Sequence, residues 1–334
     1  MKLFCFGLGY SAQYLVPLCL ARGIEVAGTW QSKSVAIDPS VRQFRFAPNL
    51  DRHGQGLSPE GCAELSDADI ILISIPPTAA GLGNANETQD SEVILSHHRP
   101  LLENPKLKHI IYLSTTGVYG DHGGNWVDEN TQATPQTERG QRRVAAEQAW
   151  RDFVDCCNRQ ASSMARPKIL TILRLAGIYG PGRSAFDSIA QGKAQIIIKQ
   201  NQVFSRIHVA DIAQFIDALM AAGQTNYPLH PIYNLCDNEP APPQDVISYA
   251  YELLGRTPPA PINYEMARLS PMQASFYSES KRVKNDTLHE FLSKFAQKSL
   301  LYPDYRVGLS AILAGMNCSW DSPPILAGVG VPTN

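Results

Sequence analysis

Gly7-Leu8-Gly9-Tyr10-Ser11-Ala12 is a G-x-G-x-x-A turn beginning at the seventh residue, between a short apolar run and a helical pattern. In that setting the first glycine permits a tight turn, the second lets a pyrophosphate reach the backbone, and Ala12 is small enough for close helix–strand packing. The free N–H groups and dipole of the new helix then meet the phosphate charge. Glycine turns also occur for structural reasons alone, so the strand–turn–helix context carries the reading. Dinucleotide binding through Gly7, Gly9, Tyr10, Ser11 and Ala12 is the expectation. An NAD site usually holds the ribose 2′-hydroxyl with an acid about 20 residues further on. Here Ala27-Gly28-Thr29-Trp30-Gln31-Ser32-Lys33 contains none. Thr29 and Lys33 suit a 2′-phosphate instead, so NADP is preferred to NAD. The alternative is a solvated Lys33 beside an unselective adenosine pocket.

A second chemical cluster is Ser114-Thr115-Thr116, closing the apolar run His109–Leu113. Hydroxyls at the C-terminal end of a central parallel strand lie where open α/β sheets bind ligands; the competing role is capping the strand end. The seven cysteines are odd in number and form no C-x-x-C pair or zinc spacing, so no metal site is expected. They read as reduced thiols of a cytoplasmic chain.

The elements that must position these groups are short apolar runs alternating with helical patterns, the mark of a parallel sheet wrapped by helices. Strands are expected at Lys2–Phe6, Glu25–Thr29, Arg42–Phe46, Asp69–Ile75, His109–Leu113, Ile169–Leu175 and Ile232–Leu235. Helices are expected near Ser11–Arg22, Thr137–Gln160, Val209–Ala222, Gln244–Leu254 and Asp286–Gln297. In the long helix, Ala145, Ala149, Phe153 and Cys156 would share the buried face. The class is α/β: a Rossmann-type doubly wound parallel sheet with a smaller C-terminal lobe. Residues 1–179 and 207–237 would form the dinucleotide-binding domain. A proline-dense, loop-rich lobe would comprise 180–206 and 238–315, followed by a loose tail over 316–334.

With 334 residues, 29 basic and 31 acidic side chains, a formal charge of −2, 18% charged and 44% hydrophobic residues, the chain is globular. It has no electrostatic footprint for nucleic acid or an anionic membrane. The uncharged run Leu3–Ala21 is broken by Gly7, Gly9, Tyr10, Ser11, Gln13 and Pro17, so it reads as folded protein and not as a targeting segment.

Further segments carry a resemblance. Tyr112-Leu113-Ser114-Thr115-Thr116-Gly117-Val118-Tyr119-Gly120-Asp121, Leu173-Arg174-Leu175-Ala176-Gly177-Ile178-Tyr179-Gly180-Pro181-Gly182, Ile207-His208-Val209-Ala210-Asp211-Ile212-Ala213 and the late Ser280-Lys281-Arg282-Val283-Lys284-Asn285 follow the glycine turn in order. Over about residues 1–310 the chain resembles the extended short-chain dehydrogenase/reductases, the NAD-dependent epimerase/dehydratase group. The resemblance implies that Thr115 hydrogen-bonds the substrate's reacting oxygen and that Thr116 lies beside it. It also implies that Ile75, Pro76 and Pro77 line the cofactor and that Ala176 and Ile178 flank the nicotinamide.

One departure stands out. The family's Y-x-x-x-K pair is absent, for with Glu147 fixing the register, Arg139 takes the tyrosine position and Arg143 the lysine position. An arginine stays charged and cannot be an ordinary base. Arg143 can still donate to ribose hydroxyls, and Arg139 can hold negative charge; otherwise Arg139, Arg143 and Glu147 form a charge ladder on a solvated face. Asp121, His122 and Glu129 are the candidate replacement acids. His208 and Asp211 read as a buried turn and a helix cap. The arginine that holds a nucleotide-sugar diphosphate is Phe204 here, whereas Arg183 and Arg206 could bind another anion or simply lie on the surface. Two functions follow. One is an atypical NAD(P)-dependent oxidoreductase or epimerase/dehydratase-like enzyme acting on a small-molecule substrate, with an anionic one allowed. The other is a non-catalytic NAD(P)-binding sensor or regulatory protein that has lost the tyrosine. A homodimer is left open.

Overall fold

The computed structural model describes residues 1–46, 56–77, 92–162 and 166–318. Strand β1 (Lys2–Phe6) runs through the Gly7–Gly9 turn into helix α1 (Tyr10–Ala21), followed by β2 (Glu25–Trp30) and β3 (Arg42–Arg45). Next come α2 (Pro59–Ser66), β4 (Ile70–Ile73), α3 (Val93–Leu102), β5 (His109–Thr115), the short β6 (Trp126–Val127) and the long α4 (Glu138–Gln160). The chain continues through β7 (Ile169–Leu175), β8 (Gly177–Tyr179), α5 (Ala185–Ala190), β9 (Ile197–Ile198), β10 (Arg206–His208), α6 (Val209–Ala222) and β11 (Ile232–Leu235). The remainder is α7 (Pro243–Leu253), β12 (Ile262–Asn263), α8 (Pro271–Tyr277), β13 (Arg282–Val283), α9 (Asp286–Phe291) and α10 (Tyr305–Cys318).

Seven strands make one sheet in the order β11-β7-β5-β4-β1-β2-β3, with every pairing parallel. Strands buried on both faces must be apolar throughout, and Ile70–Ile73 is 0% exposed at every position. One face packs Leu3, Cys5, Ile70 and Leu72 under α1 and α6. The other packs Phe4, Phe6, Ile71 and Ile73 under α3 and α4. A separate cluster around Tyr179, Phe186, Ala250, Tyr305 and Leu309 joins α5, α7 and α10. Among the described residues no helix is long and apolar enough to cross a membrane.

This is the doubly wound Rossmann-type sheet expected from the sequence, with differences in detail. β4 stops at Ile73 because the Ser74 hydroxyl turns to donate to the Gly7 carbonyl at 2.6 Å. The buried side of α4 is Arg143, Ala146, Glu147, Trp150, Phe153 and Val154, whereas Ala145 is exposed. The expected Ala145–Ala149 stripe is thus one position out, because two charged residues occupy the face that hydrophobicity alone would assign to alanine. The expected helix at Asp286–Gln297 breaks after Phe291 into a wider turn. Of the expected tail, 316–318 belongs to α10, and 319–334 lies outside the described residues.

Candidate functional site

The chain leaves β1 for β2 and β3 on one side and returns through β4, β5, β7 and β11 on the other. The crevice above the C-terminal ends of β1 and β4 is therefore the topological switch point, where doubly wound sheets take their ligands.

Gly7 sits there at φ +96°, and a Cβ on it would lie 2.8 Å from both Ile75 Cγ2 and Ser74 Oγ. Its N–H donates to Thr29 Oγ1 at 2.9 Å, so the turn is tied to both neighbouring strands. Thr29 is 1% exposed, which makes its hydroxyl an internal strut of the turn. Gly9 is different. Its backbone, φ −79° and ψ −166°, is one that any residue adopts, and a Cβ there would meet nothing within 4 Å. No side chain caps α1. The first-turn N–H groups thus face open space directly outside a glycine the fold itself does not require, a cradle suited to a pyrophosphate. Ser11 and Ala12 are buried beneath it.

Tyr10 reaches sideways, its hydroxyl donating to the Pro181 carbonyl at 2.9 Å. The Arg183 guanidinium carbon lies 5.9 Å from the Tyr10 ring centre, which brings the loop between β8 and α5 to the start of α1. Ala176, buried, and Ile178, half-buried in β8, follow the end of β7 on the same edge. Half-buried Ile75 and Pro77, with exposed Pro76, form the lip after β4, and Lys33 is exposed in the connection after β2.

At the end of β5, Thr115 Oγ1 accepts the Gly117 N–H at 3.1 Å, and Thr116 opens the short helical turn that follows. This leaves the Thr115 hydroxyl proton free to be donated elsewhere. Thr137 caps α4, whose inner face then presents Arg139, Arg143 and Glu147 one turn apart. Arg143 and Glu147 are buried, at 8% and 1% exposed, whereas Arg139, nearest the start of the helix, is exposed. Arg143 Nη1 donates to the Tyr112 hydroxyl at 3.1 Å and the Leu113 carbonyl at 2.7 Å. Glu147 accepts the Ser114 hydroxyl at 2.6 Å, Arg174 through Nε at 3.1 Å and Nη2 at 2.8 Å, and Arg151 at 3.0 Å. Against its burial, which acts upward, the Arg174 guanidinium holds the Glu147 carboxyl below the usual carboxylate range.

Arg139 is exposed at the surface, and partial desolvation, together with the positive charges of Arg143 and Arg183, lowers it from the ordinary arginine value. Among the described residues no carboxylate forms an ion pair with Arg139, Arg143 or Arg183, whereas Arg142, on the outer side of α4, pairs with Glu138 at 2.7 Å. Three guanidinium groups without an ion-pair partner among the described residues thus stand at the edge of the crevice, where positive charge favours an anion.

The other sequence candidates are engaged elsewhere. Asp121 Oδ1 accepts the Gly123 and Ser280 N–H groups at 3.1 and 2.7 Å. His122 Nε2 lies 3.1 Å from the Tyr119 carbonyl, and Glu129 accepts the Asn234 N–H at 2.9 Å. His208 Nδ1 accepts the Ala210 N–H at 3.2 Å, and burial holds its ring down at about 4. Asp211 accepts the Leu301 and Tyr302 N–H groups, and burial raises it to about 6. Half-buried Arg206 donates to the Phe204 and Ala241 carbonyls at 2.9 and 3.0 Å, away from the three-arginine cluster. A shallow depression lined by Lys2, Gly23, Glu25, Arg42 and Glu64 lies at the N-terminal ends of β1, β2 and β3, the end away from the glycine turn, and its charges neutralise one another.

Sequence reasoning missed Ser74, Tyr112 and Glu92. Glu92 begins α3 at 4% exposure, and burial pushes its carboxyl up to about 7 against the opposing pull of Arg143. Ser74 was accessible as the residue before Ile75-Pro76-Pro77; nothing local marks the other two.

No protein-family model matches the chain. Protein YeeZ of Escherichia coli K12 is 29% identical over 269 residues, covering 77% of this chain and 85% of that protein. A functionally unknown conserved protein from Silicibacter pomeroyi is 38% identical, with a TM-score of 0.73 over 94% of this chain and 98% of its own. A Methylobacillus flagellatus protein assigned to the NAD-dependent epimerase/dehydratases is 24% identical, with a TM-score of 0.65 over 95% and 98%. The human epimerase family protein SDR39U1, whose structure holds NADPH, is 17% identical, with a TM-score of 0.63 over 94% and 99%. At these identities the last two show the fold alone. The chain belongs to one family with the Silicibacter pomeroyi protein, built on the Rossmann-type fold of the NAD-dependent epimerase/dehydratases.

Proposed function

We propose that the protein binds NADP(H), in preference to NAD(H), and acts as an atypical oxidoreductase or epimerase-like enzyme on a small anionic substrate. The observation that carries this reading is the cluster of Arg139, Arg143 and Arg183, without carboxylate partners, beside the open and uncapped start of α1.

The backbone at Gly9, Tyr10 and Ser11 would hold the pyrophosphate, with Lys33 toward the 2′-phosphate and Ile75, Pro76, Pro77, Ala176 and Ile178 lining the nicotinamide half. When bound, the dinucleotide supplies hydride exchange with a carbon of the substrate. Arg143, pinned by Tyr112 and the Leu113 carbonyl, presents its remaining N–H groups as fixed donors. Arg139 and Arg183 hold the substrate's anionic group. The Thr115 hydroxyl donates to the reacting oxygen, and the positive charge of Arg139, one turn before Arg143 on α4, stabilises charge developing there. Arg139, at the family's tyrosine position, keeps its proton, so it orients and stabilises but does not act as the base.

A second reading is a dinucleotide-binding protein without turnover, favoured by the engagement of Asp121, His122 and Glu129 in the fold. A screen of carboxylated and phosphorylated carbonyl and hydroxy compounds, following NADPH oxidation and NADP reduction, separates the two. The enzyme reading expects turnover that falls at least about 100-fold in Arg139→Ala, as removal of a transition-state donor does. Activity unchanged in that variant removes the role of Arg139, and NADPH binding without turnover on any substrate favours the second reading.

A further inference from the structure

The edge strand β3 adds a residue to the dinucleotide reading that the sequence did not single out. In the parallel register Trp30 pairs with Arg45, so Arg45 lies beside the last residue of β2, at the edge of the sheet that carries the glycine turn. Side chains alternate across β3. Arg42 and Phe44 share one face, where the Arg42 guanidinium carbon lies 5.9 Å from the Phe44 ring and Arg42 pairs with Glu64. Gln43 and Arg45 occupy the other face. The Gln43 amide accepts the Val35 N–H and donates to the Val35 carbonyl, both at 3.0 Å, and so clamps the connection 31–41 over that face. This connection carries Ser32, Lys33 and Ser34, all exposed.

Arg45 is also exposed, and among the described residues neither Arg45 nor Lys33 has an ion-pair partner. Their counterparts toward the opposite, N-terminal ends of the strands, Lys2, Arg42 and Lys106, are each paired with a carboxylate. Asp38, in the same connection, is engaged with the Ser40 N–H and hydroxyl at 2.9 and 2.6 Å. Where an NAD site places an acid for the ribose 2′-hydroxyl, this chain has two cations, and the hydroxyl of Thr29 is turned inward to Gly7.

We propose that Arg45, with Lys33, binds the 2′-phosphate of NADP(H) and sets the preference over NAD(H). The inference rests on the dinucleotide reading above. A dianionic phosphate accepts two parallel N–H bonds from the planar guanidinium and a point charge from lysine, interactions the bare 2′-hydroxyl of NADH cannot repay. The adenosine half is the appropriate end of the cofactor: β2 and β3 lie on the glycine-turn side of the switch point, and Thr115 with Arg139 on the other.

The test is a calorimetric titration of the full chain with NADPH, NADH and the fragment 2′,5′-ADP, using wild type, Arg45→Ala and Lys33→Ala, with melting temperatures as folding controls. Both side chains are exposed, so the variants should melt with the wild type. The inference expects wild type to bind NADPH at least about 10-fold more tightly than NADH, the scale of one charge-assisted contact. Arg45→Ala should weaken NADPH and 2′,5′-ADP by about 10-fold or more and leave NADH within about twofold. NADPH affinity unchanged in Arg45→Ala, or an equal loss for NADPH and NADH, would overturn it. Equal binding of both cofactors by wild type overturns this inference and leaves the dinucleotide reading standing. Binding of neither overturns the dinucleotide reading itself.

Discussion

Arg143 and Tyr112 lock α4 to β5: the guanidinium donates to the phenol at 3.1 Å while its carbon stands 5.6 Å from the centre of the same ring. The contact fixes a positive charge at the C-terminal edge of the sheet without a carboxylate partner. Lysine in its place has one ammonium and no planar fork, so it cannot keep both the phenol and the Leu113 carbonyl in this geometry. Arg143→Lys should destabilise the fold by about 1–3 kcal/mol, the cost of a buried charge-assisted contact, read as a lower urea midpoint with unchanged slope. A midpoint equal to wild type would place Arg143 outside the packed face.

Glu147 and Arg174 form a buried pair with side chains 1% and 5% exposed. Removing one partner leaves a buried charge uncompensated, so Glu147→Gln should cost about 3–5 kcal/mol. The double change Glu147→Gln with Arg174→Met should recover part of that loss, because apolar replacement of a whole pair is tolerated. Urea unfolding of the two variants checks this, and a double variant no more stable than Glu147→Gln would contradict it.

Glu92 gives the stability a pH signature. Its carboxyl stands at about 7 in the fold, pushed up by burial, against about 4.3 in an unfolded chain. Between these values the folded state holds a proton that the unfolded state has released, so the Glu92 contribution to stability falls as pH rises from about 4 to 7. Glu92→Gln removes that slope. The charges and ionisable groups that bear on it are Arg143, whose charge favours the carboxylate, and the Tyr112 phenol. The variant should therefore gain on wild type by a few kcal/mol between pH 5 and pH 8, measured as the difference in urea midpoints. A gap that does not widen with pH would show that Glu92 ionises as it does in water.

The sheet was legible because strands covered on both faces can only be apolar, as Ile70–Ile73 and His109–Leu113 show. Helix α3 was not. Its buried side consists of Val93, Ile94, His98 and Leu102, and its last turns contain Arg99 and Pro100, so no apolar stripe marks it. The glycine turn was legible because its function is local in sequence. Its parts nevertheless divide differently in the structure: Gly7 carries the strained backbone, whereas Gly9 matters through the space it leaves. The inner face of α4 was misread because Arg143 and Glu147 look solvated until their partners on β5 and β7, 27 to 33 residues away, are brought beside them. Arg45 was passed over for the same reason, since only strand register places it beside Trp30.

The most direct test of the account is a calorimetric titration of NADPH into wild type and Gly9→Val, with melting temperatures measured for both. Valine can adopt the backbone at Gly9 and its Cβ meets no atom within 4 Å there, so the variant should fold with nearly unchanged stability. The same side chain fills the space before the first-turn N–H groups of α1, through which the pyrophosphate must approach. The account predicts NADPH binding to wild type, and at least about a 100-fold loss of affinity in Gly9→Val, a loss of roughly 2.7 kcal/mol, at a matching melting temperature. Undiminished affinity in a folded Gly9→Val, or no NADPH binding to wild type, would contradict it.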